Sequence, residues 1–207
     1  MDSALFVFKL IVLVFSVVVH EISHGFVAQR LGDPTAQRAG RLTLNPIPHI
    51  DLFGSVILPL IMYFSNTGVL FGWAKPVPVD PRYFKHRDRD MAYVSAAGPL
   101  SNLTLAAVFA VFFRALPYFS TGATALALQN FFIIIVMTNI QLAIFNLVPI
   151  PPLDGSGVLL ALLPRAANGI REMLERYGIF FLLAFLFLGM SIIAPVIEFL
   201  ARLFLGV

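Results

Sequence analysis

His20-Glu21-Ile22-Ser23-His24 is the run of residues in this chain best equipped for chemistry. On a helix, positions i and i+4 stack on one face, so the two imidazoles can hold one metal ion together. Glu21 stands beside them, where it can take a proton from water bound to that ion. The run lies inside an apolar stretch of lipid-spanning length. An ionised carboxylate costs about 2.5–3.5 kcal/mol to place at mid-bilayer, which makes such residues functional candidates. The plainer alternative is that they hydrogen-bond neighbouring helices or lie at the interface.

Two imidazoles are too few for a catalytic zinc, which usually has three protein ligands and one open position. His49, Asp51, His86 and Asp154 are the other candidates. Asp154 is the best placed, in Asn146-Leu-Val-Pro149-Ile-Pro151-Pro152-Leu153-Asp154-Gly155. Prolines at 149, 151 and 152 stop a helix and leave extended backbone, and Gly155 permits a turn. A carboxylate on broken backbone, at the depth of the histidines, suits a metal ligand. The competing role for Asp154 is an N-cap on a short helix from Gly157 onward. His49 and Asp51 remain rival ligands, although a turn or lid role suits them better. His86, among Lys85, Arg87, Asp88, Arg89 and Asp90, reads as a solvated loop residue.

The elements that position these residues are read from composition. Of 207 residues, 59% are hydrophobic and 12% charged, with mean hydropathy +0.89. A soluble domain carries about 25% charged residues. A surface this apolar points to lipid. The chain contains no Cys, which excludes thiolate metal sites, Cys nucleophiles and disulfides. A net charge of +3 gives a nucleic-acid partner nothing to stand on. The apolar run at 4–19 lacks a basic leader and a small-residue cleavage site, so it reads as a retained span.

Stretches at 4–28, 53–71, 91–113, 126–148 and 177–205 approach the roughly 20 apolar residues of a span. An amphipathic stretch at 157–176 precedes the last. Arg30, Arg38 and Arg41 follow the first stretch. Lys75, Arg82, Lys85, Arg87 and Arg89 precede the third, and Arg165, Arg171 and Arg176 precede the fifth. Basic loops stay cytoplasmic. All three groups can do so only if 53–71 dips in and returns, as Pro59 and the polar turn Ser65-Asn66-Thr67-Gly68 allow. The expectation is an all-α polytopic membrane protein with four full spans and one re-entrant or hairpin segment. The N-terminus lies outside, and the loops at 30–52, 73–90 and 149–176 are cytoplasmic. At about 1.5 Å per residue, Glu21 then lies roughly 25 Å along the first helix, in the cytoplasmic third of the bilayer.

With these residues in place, the chain resembles the site-2 protease family of intramembrane zinc metalloproteases. The likeness rests on His20-Glu21-Ile22-Ser23-His24, on Asn146, Pro149 and Leu153-Asp154-Gly155, and on Ala96-Ala-Gly98-Pro99-Leu-Ser-Asn102. The resemblance implies one zinc ion per chain held by His20, His24 and Asp154, with Glu21 as catalytic base, inside a three-span core. It also implies that Asn146 positions or polarises the substrate carbonyl. The likeness is to a minimal form, without the PDZ or regulatory domain of some relatives. We expect a single membrane domain over 1–207, with a core at 1–160 and a connector and C-terminal span at 161–207. The implied substrate is a transmembrane protein, and the implied location a prokaryotic plasma membrane.

Such a substrate must be unwound before it is cut. Arg41-Leu42-Thr43-Leu44 alternates polar and apolar residues and reads as a short strand, either a plain connector or an edge able to pair with substrate. Ala96, Ala97, Gly98 and Ser101 let the third span approach another helix closely. Asn130, Asn139 and Gln141, in the fourth span, read as bundle-interior hydrogen-bonding residues, with a water path as the alternative. The alternative functions are a membrane zinc-ion transporter and an inactive relative that binds membrane segments.

Overall fold

A computed structural model describes residues 3–65, 72–164 and 167–206. Asn66, Thr67 and Gly68 of the expected polar turn, and Arg165, lie outside the described residues. The helices are α1 (Ser3–Arg30), α2 (Thr35–Arg38), α3 (Leu58–Phe64), α4 (Arg87–Ala115), α5 (Gly122–Asn146), α6 (Asp154–Leu162), α7 (Asn168–Leu188) and α8 (Met190–Leu205).

At 28 residues, α1 is about 42 Å long, enough to cross a hydrocarbon core of about 30 Å. Among the described residues α1, α4 with its extension to Tyr118, and α5 are each long and apolar enough to span. The bent pair α7 and α8 makes a fourth crossing if taken as one span. The last stretch is therefore not the straight span expected at 177–205. It begins at Asn168, absorbing part of the amphipathic connector, and bends by 68° around Gly189. Gly189 has the physical property a bend needs. A Cβ there would lie 2.1 Å from Cδ2 of Phe185, so only glycine lets that ring fold over the break.

The described part of the 53–71 stretch, residues 53–65, fits the hairpin reading. Leu52–Ile57 is a π-helical turn capped by the Asp51 carboxylate, which accepts from Gly54 N at 2.7 Å, and it runs into α3. Together they reach Phe64, roughly 20 Å at helical rise, short of a crossing. By Gly72 the chain is back where it began: Trp73 N donates to Gly54 O at 3.2 Å, and Ser55 Oγ donates to Trp73 O at 2.8 Å.

The expected strand does not form; among the described residues there is none. Residues 42–44 are bends, because their backbone is committed to local partners. Arg41 N donates to Ala36 O, and Thr43 O accepts from Nε2 of His49 at 3.0 Å.

Helix α4 packs against α1, α5, α6 and α8. Ala106 and Ala110 on α4, Val136 and Ile140 on α5, and Leu205 at the end of α8 form a buried cluster. The small side chains let these helices come close, as lipid-embedded packing requires. One polar rung crosses this bundle. Asn102 and Asn139 are fully buried, and Nδ2 of Asn102 donates to Oδ1 of Asn139 at 2.8 Å, satisfying two amides that would otherwise be costly in lipid. Asn139 thus has the interior role expected of it, whereas Asn130 and Gln141 are exposed on α5 and do not.

Candidate metal centre

The periodicity of α1 places His20 and His24 on its buried face, with rings edge to face at 4.7 Å between centroids. Both face α4 at Gly98. A Cβ there would lie 2.5 Å from Nε2 of His24 and 2.6 Å from Nε2 of His20. The small residue in the third span is therefore more than close-packing architecture: it makes room for the two imidazole nitrogens.

Asp154 arrives from 134 positions away. Helix α5 ends at Asn146, the chain turns through Pro149, Pro151 and Pro152, and α6 starts at Asp154 itself. The cap position belongs to Leu153, and the Asp154 side chain is not used as a cap. Its Oδ2 instead lies 2.9 Å from Nε2 of His20 and 3.3 Å from Nε2 of His24. Gly155 allows this close return: a Cβ there would lie 2.2 Å from Leu147 O.

Hydrogen bonds occupy one nitrogen of each ring. Nδ1 of His24 meets Val94 O at 2.7 Å, and a carbonyl only accepts, so Nδ1 carries the proton. Nδ1 of His20 meets Oδ1 of Asn102 at 2.6 Å. The orientation of Asn102 follows from its amide, which donates to Ser16 O and to Asn139; the Asn139 amide in turn donates to Ile135 O. Nδ1 of His20 is therefore also a donor. Both Nε2 atoms converge on one carboxylate oxygen, and with both rings neutral the three atoms form a ready donor set for a cation. Ligand atoms about 3.3 Å apart are what a tetrahedral ion with bonds of about 2.0 Å requires. The donor set fits zinc, and Asn102 and Val94 would serve as outer-sphere partners of the two histidines.

Glu21 is half-buried beside this group. A ligand-capable atom from each of His20, Glu21 and His24 lies within 4.8 Å of the others. Its Oε2 accepts from Val77 N at 2.7 Å. A cavity of about 260 Å³ opens here, lined in part by Glu21, Asp154, Asn146, Met91 and Val77. Asn146 sits at the end of α5 with Nδ2 bonded to Leu142 O at 2.9 Å.

The remaining candidates lie elsewhere. His49 is buried in a 3-10 turn and bonded to Thr43, Asp51 is a helix cap, and His86 precedes α4. Sequence reasoning passed over the roles of Asn102 and Val77. A polar side chain in an apolar span was a signal for Asn102, while nothing local marks a backbone amide such as that of Val77.

Over 198 residues the chain is 39% identical to "Putative zinc metalloprotease YwhC" of Bacillus subtilis, covering 92% of this chain and 86% of the relative. The chain belongs to peptidase family M50. The model of that family matches residues 117–189. This M50 chain is also 33% identical over 147 residues to "Putative zinc metalloprotease Rip2" of Mycolicibacterium smegmatis, covering 70% of the chain and 52% of that relative. No solved structure matches. The resemblance to the site-2 proteases is thus a matter of membership, and the protein is a multi-pass membrane metalloprotease by family.

Proposed function

We propose that this M50 protein hydrolyses peptide bonds of transmembrane substrates near the cytoplasmic side of the bilayer, in a prokaryotic plasma membrane. The observation that supports it is the meeting of Asp154 Oδ2 with the Nε2 atoms of His20 and His24 at 2.9 and 3.3 Å, beside Glu21. His20, His24 and Asp154 hold zinc, which when bound supplies Lewis acidity toward water and a carbonyl.

Glu21 is the base. Its Oε2 already accepts from Val77, which leaves Oε1 to take a proton from the attacking water and return it to the leaving amine nitrogen. Asn146, at the cavity wall, bonds the substrate carbonyl through its amide. The substrate helix has to unwind first, because its amides are spent in their own hydrogen bonds. Basic Arg30, Arg38, Arg82 and Arg171 keep the loops beside the site cytoplasmic.

The test is cleavage of a transmembrane substrate in proteoliposomes by wild type and by Glu21→Gln, with and without a zinc chelator. The expected outcome is a loss of about 10²–10⁴-fold in Glu21→Gln, as for removal of a general base, and loss in chelator restored by zinc. Cleavage indifferent to both changes removes this reading.

A further inference from the structure

Residues 75–80 run without helix or turn along the wall of the cavity that holds His20, Glu21 and His24. Their sequence leaves one donor in the middle. Pro76 and Pro78 carry no amide hydrogen and hold φ near −65°, so Val77 N–H is the sole backbone donor between Lys75 and Val79. That donor goes to Oε2 of Glu21 at 2.7 Å.

Both ends of the segment are pinned by groups that are expensive to bury. At one end Arg41, 8% exposed, donates through Nη2 to Lys75 O at 2.6 Å and to Pro76 O at 3.4 Å. Lys75 N donates to His49 O at 2.9 Å. At the other end Asp80 N donates to Oδ2 of Asp33 at 2.7 Å, and Asp33 is fully buried. A buried charge without an opposite partner persists only when hydrogen bonds replace its water. Here a guanidinium and one oxygen of a carboxylate from the chain after α1 hold the two ends of a six-residue stretch, while the other Asp33 oxygen accepts from Thr35.

The helix below is shaped to receive that stretch. Gly25 lies one turn beyond Glu21 on α1. A Cβ there would lie 2.9 Å from Cγ1 of Val77 and 2.7 Å from Cδ2 of Leu42. Its absence lets the Val77 side chain, itself buried, lie down on α1 so that its amide reaches the glutamate.

We infer that residues 75–80 form a positioning strap: the Val77 amide holds the Glu21 carboxylate in place, and Arg41 and Asp33 act on the reaction through the strap. This rests on the role proposed for Glu21. A glutamate left to three rotatable bonds would spend little time in the productive geometry, and displacements of about 1 Å cost about 10²-fold in rate. Arg41 and Leu42, expected to lie on a strand, thus serve the strap instead. The Arg41 guanidinium pins it, and Leu42 packs beside it.

The experiment uses the full chain in proteoliposomes with a transmembrane substrate. Val77→Pro deletes the donor within an already proline-rich segment, whereas Val77→Ala keeps it. Val77→Pro is expected to lower kcat about 10–100-fold, with KM, zinc content and melting temperature near wild type; Val77→Ala, which loses packing but keeps the donor, lowers kcat much less. Arg41→Ala and Asp33→Asn lower kcat in the same way, and Arg41→Lys recovers part of it. Wild-type kcat in Val77→Pro, or loss of zinc together with activity, overturns the strap.

A second readout needs no activity. Because the chain has no Cys, Glu21→Cys gives a single thiol under the strap. Its alkylation is expected to accelerate several-fold when Arg41→Ala or Asp33→Asn is added. An unchanged rate overturns the strap. A wild-type protein that cleaves nothing defeats the proposed function instead, while the alkylation rates still decide the strap.

Discussion

His20 of α1 donates its Nδ1–H to Oδ1 of Asn102 on α4 across 2.6 Å, and that single bond leaves Nε2 facing Asp154. Asn102 is itself held by Ser16 and Asn139, so three helices cooperate to choose one tautomer. Asn102→Leu keeps the size and removes the acceptor. The expected result is about a 10–100-fold loss of zinc affinity, measured by competition with a chromogenic chelator.

Gly98 supplies the room for both imidazoles. Gly98→Ala improves helix propensity by about 1 kcal/mol, yet its Cβ would lie 2.5 Å from Nε2 of His24. Zinc occupancy should fall while helicity by circular dichroism holds or rises. Full occupancy in this variant would mean that the rings can retreat, and that the close fit at position 98 is not needed.

The hairpin offers a test away from the chemistry. Gly54 lies against Trp73, where a Cβ would come within 2.4 Å of the indole, and Trp73 is the only tryptophan. Gly54→Ala should destabilise the protein by about 1–3 kcal/mol through overpacking. Melting in detergent reads the loss, and tryptophan emission should shift as the ring is displaced.

His49 gives a pH dependence of known sign. Burial lowers its pKa below the ordinary 6.5, and the Arg41 guanidinium works in the same direction. The hydrogen bond to Thr43 O and the Glu21 carboxylate oppose this without reversing it. The unfolded chain therefore binds the proton at a higher pH than the folded chain. Stability rises with pH through the window below about 6.5 and is level above it. Melting temperatures should drop between about pH 7 and pH 5, and His49→Gln should drop less.

The sequence alone determined what depends on neighbours along the chain. A spacing of four on an apolar helix puts His20 and His24 on one face whatever surrounds them, because about 3.6 residues make a turn. The same holds for the membrane as solvent and for the proline break before Asp154, since both follow from local composition and backbone chemistry. The return of 53–71 was legible because basic loops on either side could not otherwise share one face of the bilayer.

What joins distant parts was decided by packing. A bend at Gly189 depends on where the Phe185 ring goes, and the alternation at 41–44 became bends because His49, Ala36 and the strap had claims on those residues. Asp154 meets the histidines across 134 positions, Asn102 selects the tautomer across 82, and Val77 reaches Glu21 across 56. Hydrogen-bond partners at such separations are chosen by which helices lie side by side. That choice minimises the cost of polar groups in lipid over the whole bundle, and no window along the chain contains it.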